Sequence, residues 1–247
     1  MNTLSEERMR QLRLFGMLRA FQSSKESSSI SYTPDELLSY LIECEWDDRH
    51  NRKITRLTKI ARFRYLASTE EISFEEERNI DKNQLIRLSN GDFIKNKESI
   101  LLTGSTGVGK SYIASALGHQ ACNLGYKVLY FNINKLFTKL KMLKADGSYL
   151  KEITRIERQD LIILDDFGLR PLDSQSRQFL MEIIEDRHGK RSTIISSQFP
   201  VNEWHEIIGE DTIADAILDR VVHSSHRIVL KGESMRKKKT KIVTEIN

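Results

Sequence analysis

The 247 residues predict an α/β fold, a mostly parallel sheet wound around a phosphate-binding loop, with a small all-helical domain in front of it. Three observations predict it. The run Leu101-Leu102-Thr103-Gly104-Ser105-Thr106-Gly107-Val108-Gly109-Lys110-Ser111 reads as a short apolar strand entering a glycine-rich loop that opens a helix. From Glu98 onward, strand-like and helix-like patterns alternate, as they do in parallel α/β sheets. Before residue 68 the pattern is helical throughout. The domains read as residues 1–67 (helical, for DNA or a partner), 68–97 (connector) and 98–247 (nucleotide domain with a basic tail).

The loop carries the most specific chemistry. Gly104, Gly109, Lys110 and Ser111 meet the spacing G-x-x-x-x-G-K-[ST] in full. Glycines at 104, 107 and 109 permit the positive φ that turns backbone N–H groups inward around an anion. The helix that follows adds free N–H donors and the positive end of its dipole. The nucleotide-binding run is therefore Gly104, Ser105, Thr106, Gly107, Val108, Gly109, Lys110, Ser111 and Tyr112. Lys110 is expected on the β- and γ-phosphates and the Ser111 hydroxyl on Mg²⁺.

Composition bounds the rest. A hydrophobic share of 39% suffices for a core, while 30% charged residues and a mean hydropathy of −0.45 suit a soluble chain. No apolar run approaches the length of a membrane span, and Met1–Arg10 is too polar for a signal peptide. Cys44 and Cys122 are far apart and form no C-x-x-C pair, so a reduced, cytoplasmic setting is expected, with both as small buried residues. The net charge of +4 is too mild to establish a nucleic-acid partner, but positive charge is concentrated in two segments.

Leu4–Phe21 reads as a helix with Leu14, Leu18 and Phe21 on one side, and Ser23–Ser29 as a polar linker. Thr33, Pro34 and Glu36 form a capping box that starts another helix, whose apolar face is Leu37, Leu38, Leu41 and Ile42. In the helical stretch Asp47–Tyr65, the residues Ile54, Leu57, Ala61 and Tyr65 share a face. Arg52, Arg56 and Lys59 share another, with Arg49, Lys53 and Arg62 beside it. Local acids are few after Asp48, so Arg49, Arg52, Lys53, Arg56 and Lys59 are candidates for binding DNA phosphates; a solvated basic face is the alternative.

Ser68–Asn83 reads as a connector with an acidic patch, and Lys82–Leu88 as a helix. Phe93 and Ile94 precede the first strand and are candidates for adenine contact or, more simply, for core packing. The α/β elements follow as strands Ile100–Thr103, Val128–Asn132, Asp160–Asp165, Ser192–Ser197 and Arg227–Leu230. Between them lie helices Ser111–Leu124, Lys135–Leu143, Tyr149–Arg158, Ser174–His188 and Thr212–Val222. The third strand, Leu161-Ile162-Ile163-Leu164, is apolar on both faces, as a central parallel strand should be. It ends in Asp165-Asp166, at the edge where open α/β sheets bind ligands. Asp165 is placed to hold Mg²⁺, and Asp166 to orient or deprotonate the attacking water. Gln198, after the fourth strand, is the candidate polar residue beside the γ-phosphate. Arg220 and Arg236 are both candidates to stabilise a transferring phosphoryl group through the planar guanidinium fork. Lys237–Lys241 is the second basic cluster.

Several of these motifs together resemble one family. The glycine loop, Asp165-Asp166, Ser196-Ser197-Gln198-Phe199-Pro200 with Trp204-His205-Glu206, Ala214-Asp215-Ala216-Ile217-Leu218-Asp219-Arg220 and Gly232-Glu233-Ser234-Met235-Arg236 are similar to the IstB-like ATPases of bacterial insertion sequences. The likeness extends to the helicase loader DnaC and to AAA+ initiators. It implies an AAA+ core with strand order 5-1-4-3-2, ATP as the nucleotide, and self-assembly as a homo-oligomer on duplex DNA with nucleotide at subunit interfaces. It also implies delivery of a transposase to that DNA. Arg220 takes the place of an arginine finger projected into a neighbour's site, Arg236 of a second sensor, and Gln198 of the polar first sensor. Asp166 stands where many relatives have Glu; its shorter side chain draws the carboxylate back, which would slow water activation. A helicase loader and a nucleotide-gated scaffold with negligible hydrolysis are the other readings left open.

Overall fold

The computed structural model describes residues 2–26 and 32–235. Arg236, the Lys237–Lys241 cluster and the later part of the serine-rich run lie outside the described residues. The chain divides into two compact units, Met1–Arg56 and Leu57–Asn247.

In the first unit, α1 spans Asn2–Gln11, α2 Phe15–Glu26, and α3 begins at Pro34 and runs on to Ala61. The single helix expected over Leu4–Phe21 is thus broken. Arg13 takes a left-handed φ of 58°, and Leu14 N–H donates to Met9 O at 2.8 Å, closing the end of α1. The break gives α2 a fresh N-terminus with free N–H groups. Gly16 N–H and Met17 N–H donate to one carboxylate oxygen of buried Glu45 on α3, at 2.8 and 3.2 Å. An uninterrupted helix would have consumed those donors and left Glu45 without them. Ser23–Glu26, expected in the linker, instead completes α2.

The capping box at the start of α3 forms as expected. Thr33 N–H donates to Glu36 Oε2 at 2.8 Å, and Glu36 N–H donates back to Thr33 Oγ1 at 3.3 Å. Arg62, at φ 58°, ends α3, so Tyr65 does not continue the helical face assigned to it. The basic face is less free than the sequence suggests. Arg49 pairs with Glu45 at 2.6 Å and Arg52 with Asp48 at 2.6 Å, acids set one turn earlier.

The second unit is built on five parallel strands: β1 Ser99–Gly104, β2 Val128–Asn132, β3 Leu161–Phe167, β4 Ser192–Ser197 and β5 Ser225–Leu230. Their order, β2-β3-β4-β1-β5, is the expected 5-1-4-3-2 read from the other edge. Alternate residues of each strand feed two apolar layers. Ile100, Leu102, Ile163 and Ile194 join one with α6 (Lys110–Asn123), behind the preceding α4 (Lys82–Ser89) and α5 (Asp92–Lys95). Leu101, Ile162, Leu164 and Ile195 join the other. There they meet α7 (Ile133–Ala145), α8 (Tyr149–Glu157), α9 (Ser174–Arg187), α10 (Trp204–Ile208) and α11 (Asp211–Val222). Ala67 and Ile72 of the segment before α4 are buried in the first layer, with Phe74 and Ile80 packed on it. Phe93 and Ile94 are buried there too, which gives them to the core. Both cysteines are free thiols, Cys122 buried and Cys44 half-buried. Among the described residues no helix is long and apolar enough to cross a membrane.

At Gly16 an added Cβ would collide with the Cys44 carbonyl and lie 2.8 Å from Glu45 Cα. Gly16→Ala is therefore expected to cost about 1–3 kcal/mol by overpacking. Amide exchange should accelerate in α2 and the first half of α3; unchanged protection would contradict the close approach of these helices.

Candidate nucleotide site

The loop between β1 and α6 is held from three sides. Gly104 (φ 142°) and Gly107 (φ 88°) adopt backbone angles that favour glycine; a Cβ at Gly104 would strike Leu230 at the end of β5, and one at Gly107 would strike Ser234 in the segment that follows. That segment is pinned in turn, with Met235 N–H donating to Gly107 O at 3.0 Å. Arg78, almost fully buried, donates to Val108 O at 3.0 Å and to Ser73 O at 2.5 Å, tying the residues before α4 to the loop. Inside it, Lys110 Nζ donates to Gly104 O at 2.7 Å and Ser105 O at 2.8 Å. Burial lowers the proton affinity of Lys110, and the charges of Asp165 and Asp166 oppose that effect.

Beside the loop, Asp165 is wholly buried. Ser111 Oγ at the start of α6 donates to its Oδ1 at 3.0 Å, and Ser196 of β4 donates to the same oxygen. Tyr130 of β2 donates to Oδ2, which also lies 3.3 Å from Arg64 Nη1. Burial first, and then the Asp165 charge, push the Tyr130 phenol well above its usual range, so it stays a donor. Asp166 sits in a bulge: β3 pairs regularly with β4 through Leu164, then shifts register before Phe167. The expected strand end at Asp165 is therefore an irregularity, and β3 continues to Phe167. Asp166 takes φ 63°, which turns its carboxylate toward Arg64 Nη1 at 2.9 Å and Asn132 Nδ2 at 2.7 Å.

A cavity of about 690 Å³ collects these groups, with Thr106, Gly107, Gly109, Lys110, Ser111, Tyr112, Asp166 and Gln198 in its walls. Gln198 is fixed there by Thr106 Oγ1, which donates to its Oε1 at 2.6 Å. Tyr112 lines the cavity with its hydroxyl on Glu71 at 2.5 Å. Arg220 is elsewhere. It donates to Ala216 O at 2.8 Å and Glu185 at 3.3 Å, and lines a separate cavity with Arg187 and His223. Sequence reasoning missed Arg64, Arg78, Tyr130, Asn132 and Ser196. The signal for two of them existed: Tyr130 and Asn132 are alternate residues of β2, and Asn132 lies opposite Asp165 in the register.

A family profile for IstB-like ATP binding proteins matches residues 7–242. The chain belongs to that family. A Sinorhizobium fredii relative, named as an insertion-sequence ATP-binding protein, is 44% identical over 94% of this chain and 95% of its own length. A Pseudomonas fluorescens relative with a similar name is 40% identical over 81% of this chain and 86% of its own. Among solved structures, the DnaC helicase loader is similar over 68% of this chain and 98% of its own, at TM-score 0.55 and 20% identity. AMPPCP-bound DnaA from Aquifex aeolicus is similar over 75% of this chain and 57% of its own, at TM-score 0.60 and 16% identity. These likenesses and the strand order give this IstB-like protein an AAA+ fold.

The donor set fits magnesium. Ser111 Oγ and Asp165 Oδ1 are adjacent oxygens beside the loop, and Mg²⁺ binds through hard oxygens, taking one or two from protein and the rest from phosphates and water. Lys110→Ala should remove the thermal stabilisation conferred by Mg·ATP, about 3 kcal/mol at a hundredfold excess over Kd, while the nucleotide-free protein still unfolds cooperatively. Full ATP stabilisation of that variant would contradict the site.

Proposed function

We propose that this IstB-like protein is a DNA-dependent ATPase that oligomerises on duplex DNA and assists or targets a transposase. One observation carries the reading: its match to an insertion-sequence ATP-binding protein spans nearly the whole of both chains. A shared phosphate loop alone would leave the N-terminal helices out of the match.

In this reading Lys110 and the loop N–H groups bind the phosphates, and Ser111 and Asp165 hold Mg²⁺. The metal supplies charge neutralisation on the phosphate oxygens. Gln198 orients the attacking water, and Asp166 accepts its proton. Arg220 then acts across a subunit interface. Its position outside its own chain's cavity, against Glu185 and Ala216, supports that use. Arg236 is assigned the second-sensor role on the strength of its motif. DNA phosphates are met by Arg49, Arg52, Lys53, Arg56 and Lys59 on α3, exposed along the helix. Lys53, Arg56 and Lys59 carry most of the contact, because Arg49 and Arg52 must first loosen from Glu45 and Asp48. Such contacts hold DNA with little sequence choice. A nucleotide-gated scaffold is favoured by one feature, the engagement of Asp166 Oδ2 by both Arg64 and Asn132.

Steady-state ATP turnover with and without duplex DNA tests the reading. DNA is expected to raise turnover severalfold, Asp166→Asn to lower it by about a hundredfold, and Lys53→Glu with Arg56→Glu to abolish the response to DNA. Turnover indifferent to both DNA and Asp166→Asn would replace the ATPase with the scaffold.

A further inference from the structure

Among the described residues Arg64 is the arginine that reaches the acidic end of the nucleotide cavity, and no motif in the sequence singles it out. Its Nη1 lies 2.9 Å from Asp166 Oδ2 and 3.3 Å from Asp165 Oδ2, and its guanidinium covers the Tyr65 ring at 5.6 Å. It shares the cavity wall with Lys110, Ser111 and Gln198. Arg78, the other arginine in that wall among the described residues, is spent on backbone carbonyls. Arg64 is held differently. Its side chain is 39% exposed, and both carboxylates keep other donors if it leaves: Ser111, Ser196 and Tyr130 on Asp165, and Asn132 on Asp166. Its departure leaves each carboxylate hydrogen-bonded and still beside the Lys110 charge, which acts on both, and this lowers the cost of breaking such a pair. The guanidinium fork also binds phosphate as readily as carboxylate.

We propose that Arg64 senses the terminal phosphate from within its own chain. Its guanidinium passes from the Asp165–Asp166 pair to the γ-phosphate when ATP is bound, and returns to the carboxylates when ADP is bound. The exchange frees Asp166 of a competing cation in the triphosphate state. It also moves the short segment after Ala61, where Arg62 at φ 58° terminates α3, so the end of that helix follows the nucleotide. The proposal rests on ATP binding alone and needs neither hydrolysis nor DNA.

The test is the affinity of the full chain, with Mg²⁺, for the non-hydrolysable analogue AMPPCP and for ADP. Arg64→Ala is expected to weaken AMPPCP about tenfold while ADP stays within about twofold, the loss of one charged hydrogen-bonding group to phosphate. Arg64→Lys should recover part of the discrimination, since it keeps the charge but not the fork. If Arg64→Ala does not unfold cooperatively, Arg64→Gln, which preserves bulk and polarity, takes its place. Equal weakening of both nucleotides, or undiminished AMPPCP affinity, overturns the proposal. Lys110→Ala, which should lose both nucleotides alike, marks what a failure of the binding site itself looks like.

Discussion

The second unit is organised by the need to satisfy a carboxylate with no access to water. Moving such a charge out of water costs several kcal/mol even after the protein relaxes, and the cost is met only if each oxygen finds donors. For Asp165 those donors come from α6 (Ser111), β4 (Ser196) and β2 (Tyr130), with Arg64 supplying the counter-charge. One side chain thereby fixes the phosphate-loop helix against two strands that flank its own. It also explains why β4, apolar at Ile194 and Ile195, turns to serine at Ser196 where an apolar residue would leave Oδ1 one donor short.

The phosphate loop depends on a second constraint, supplied by sequence far from it. Leu230 at the end of β5 and Ser234 beyond it crowd Gly104 and Gly107, and Arg78 grips Val108 through its carbonyl. A loop so bounded presents its N–H groups without an ordering cost when phosphate arrives, the physical advantage of a preformed anion site.

Much of this was legible in the sequence because it is encoded locally. The phosphate loop, the capping box at Thr33, and the apolar third strand each carry their own signature within a dozen residues. The order of the strands came from a family resemblance and agrees with the structure. What escaped was set by tertiary partners. The break at Arg13 exists because Glu45, on another helix, claims the N–H groups of Gly16 and Met17. The paired state of Arg49 and Arg52 follows from Glu45 and Asp48, one turn back and outside the stretch after Asp48 in which acids are few. Arg64 lies about a hundred residues from the carboxylates it contacts, and nothing in the pattern Phe63-Arg64-Tyr65 distinguishes it from its basic neighbours. Tyr130 and Asn132 were visible only as strand residues until the register set Asn132 opposite Asp165.

In the function proposed above, one chain does not complete the site. In that proposal its own groups bind phosphate and metal, while Arg220, which lines a separate cavity, serves a neighbour. Mixing Arg220→Ala subunits with Lys110→Ala subunits on duplex DNA tests that claim most directly. Each variant alone should be inactive in ATP turnover, one for want of a finger and the other for want of a phosphate site. The mixture should recover activity where an intact Arg220 meets an intact Lys110 across an interface, with a maximum at intermediate ratios. No recovery at any ratio would contradict the account.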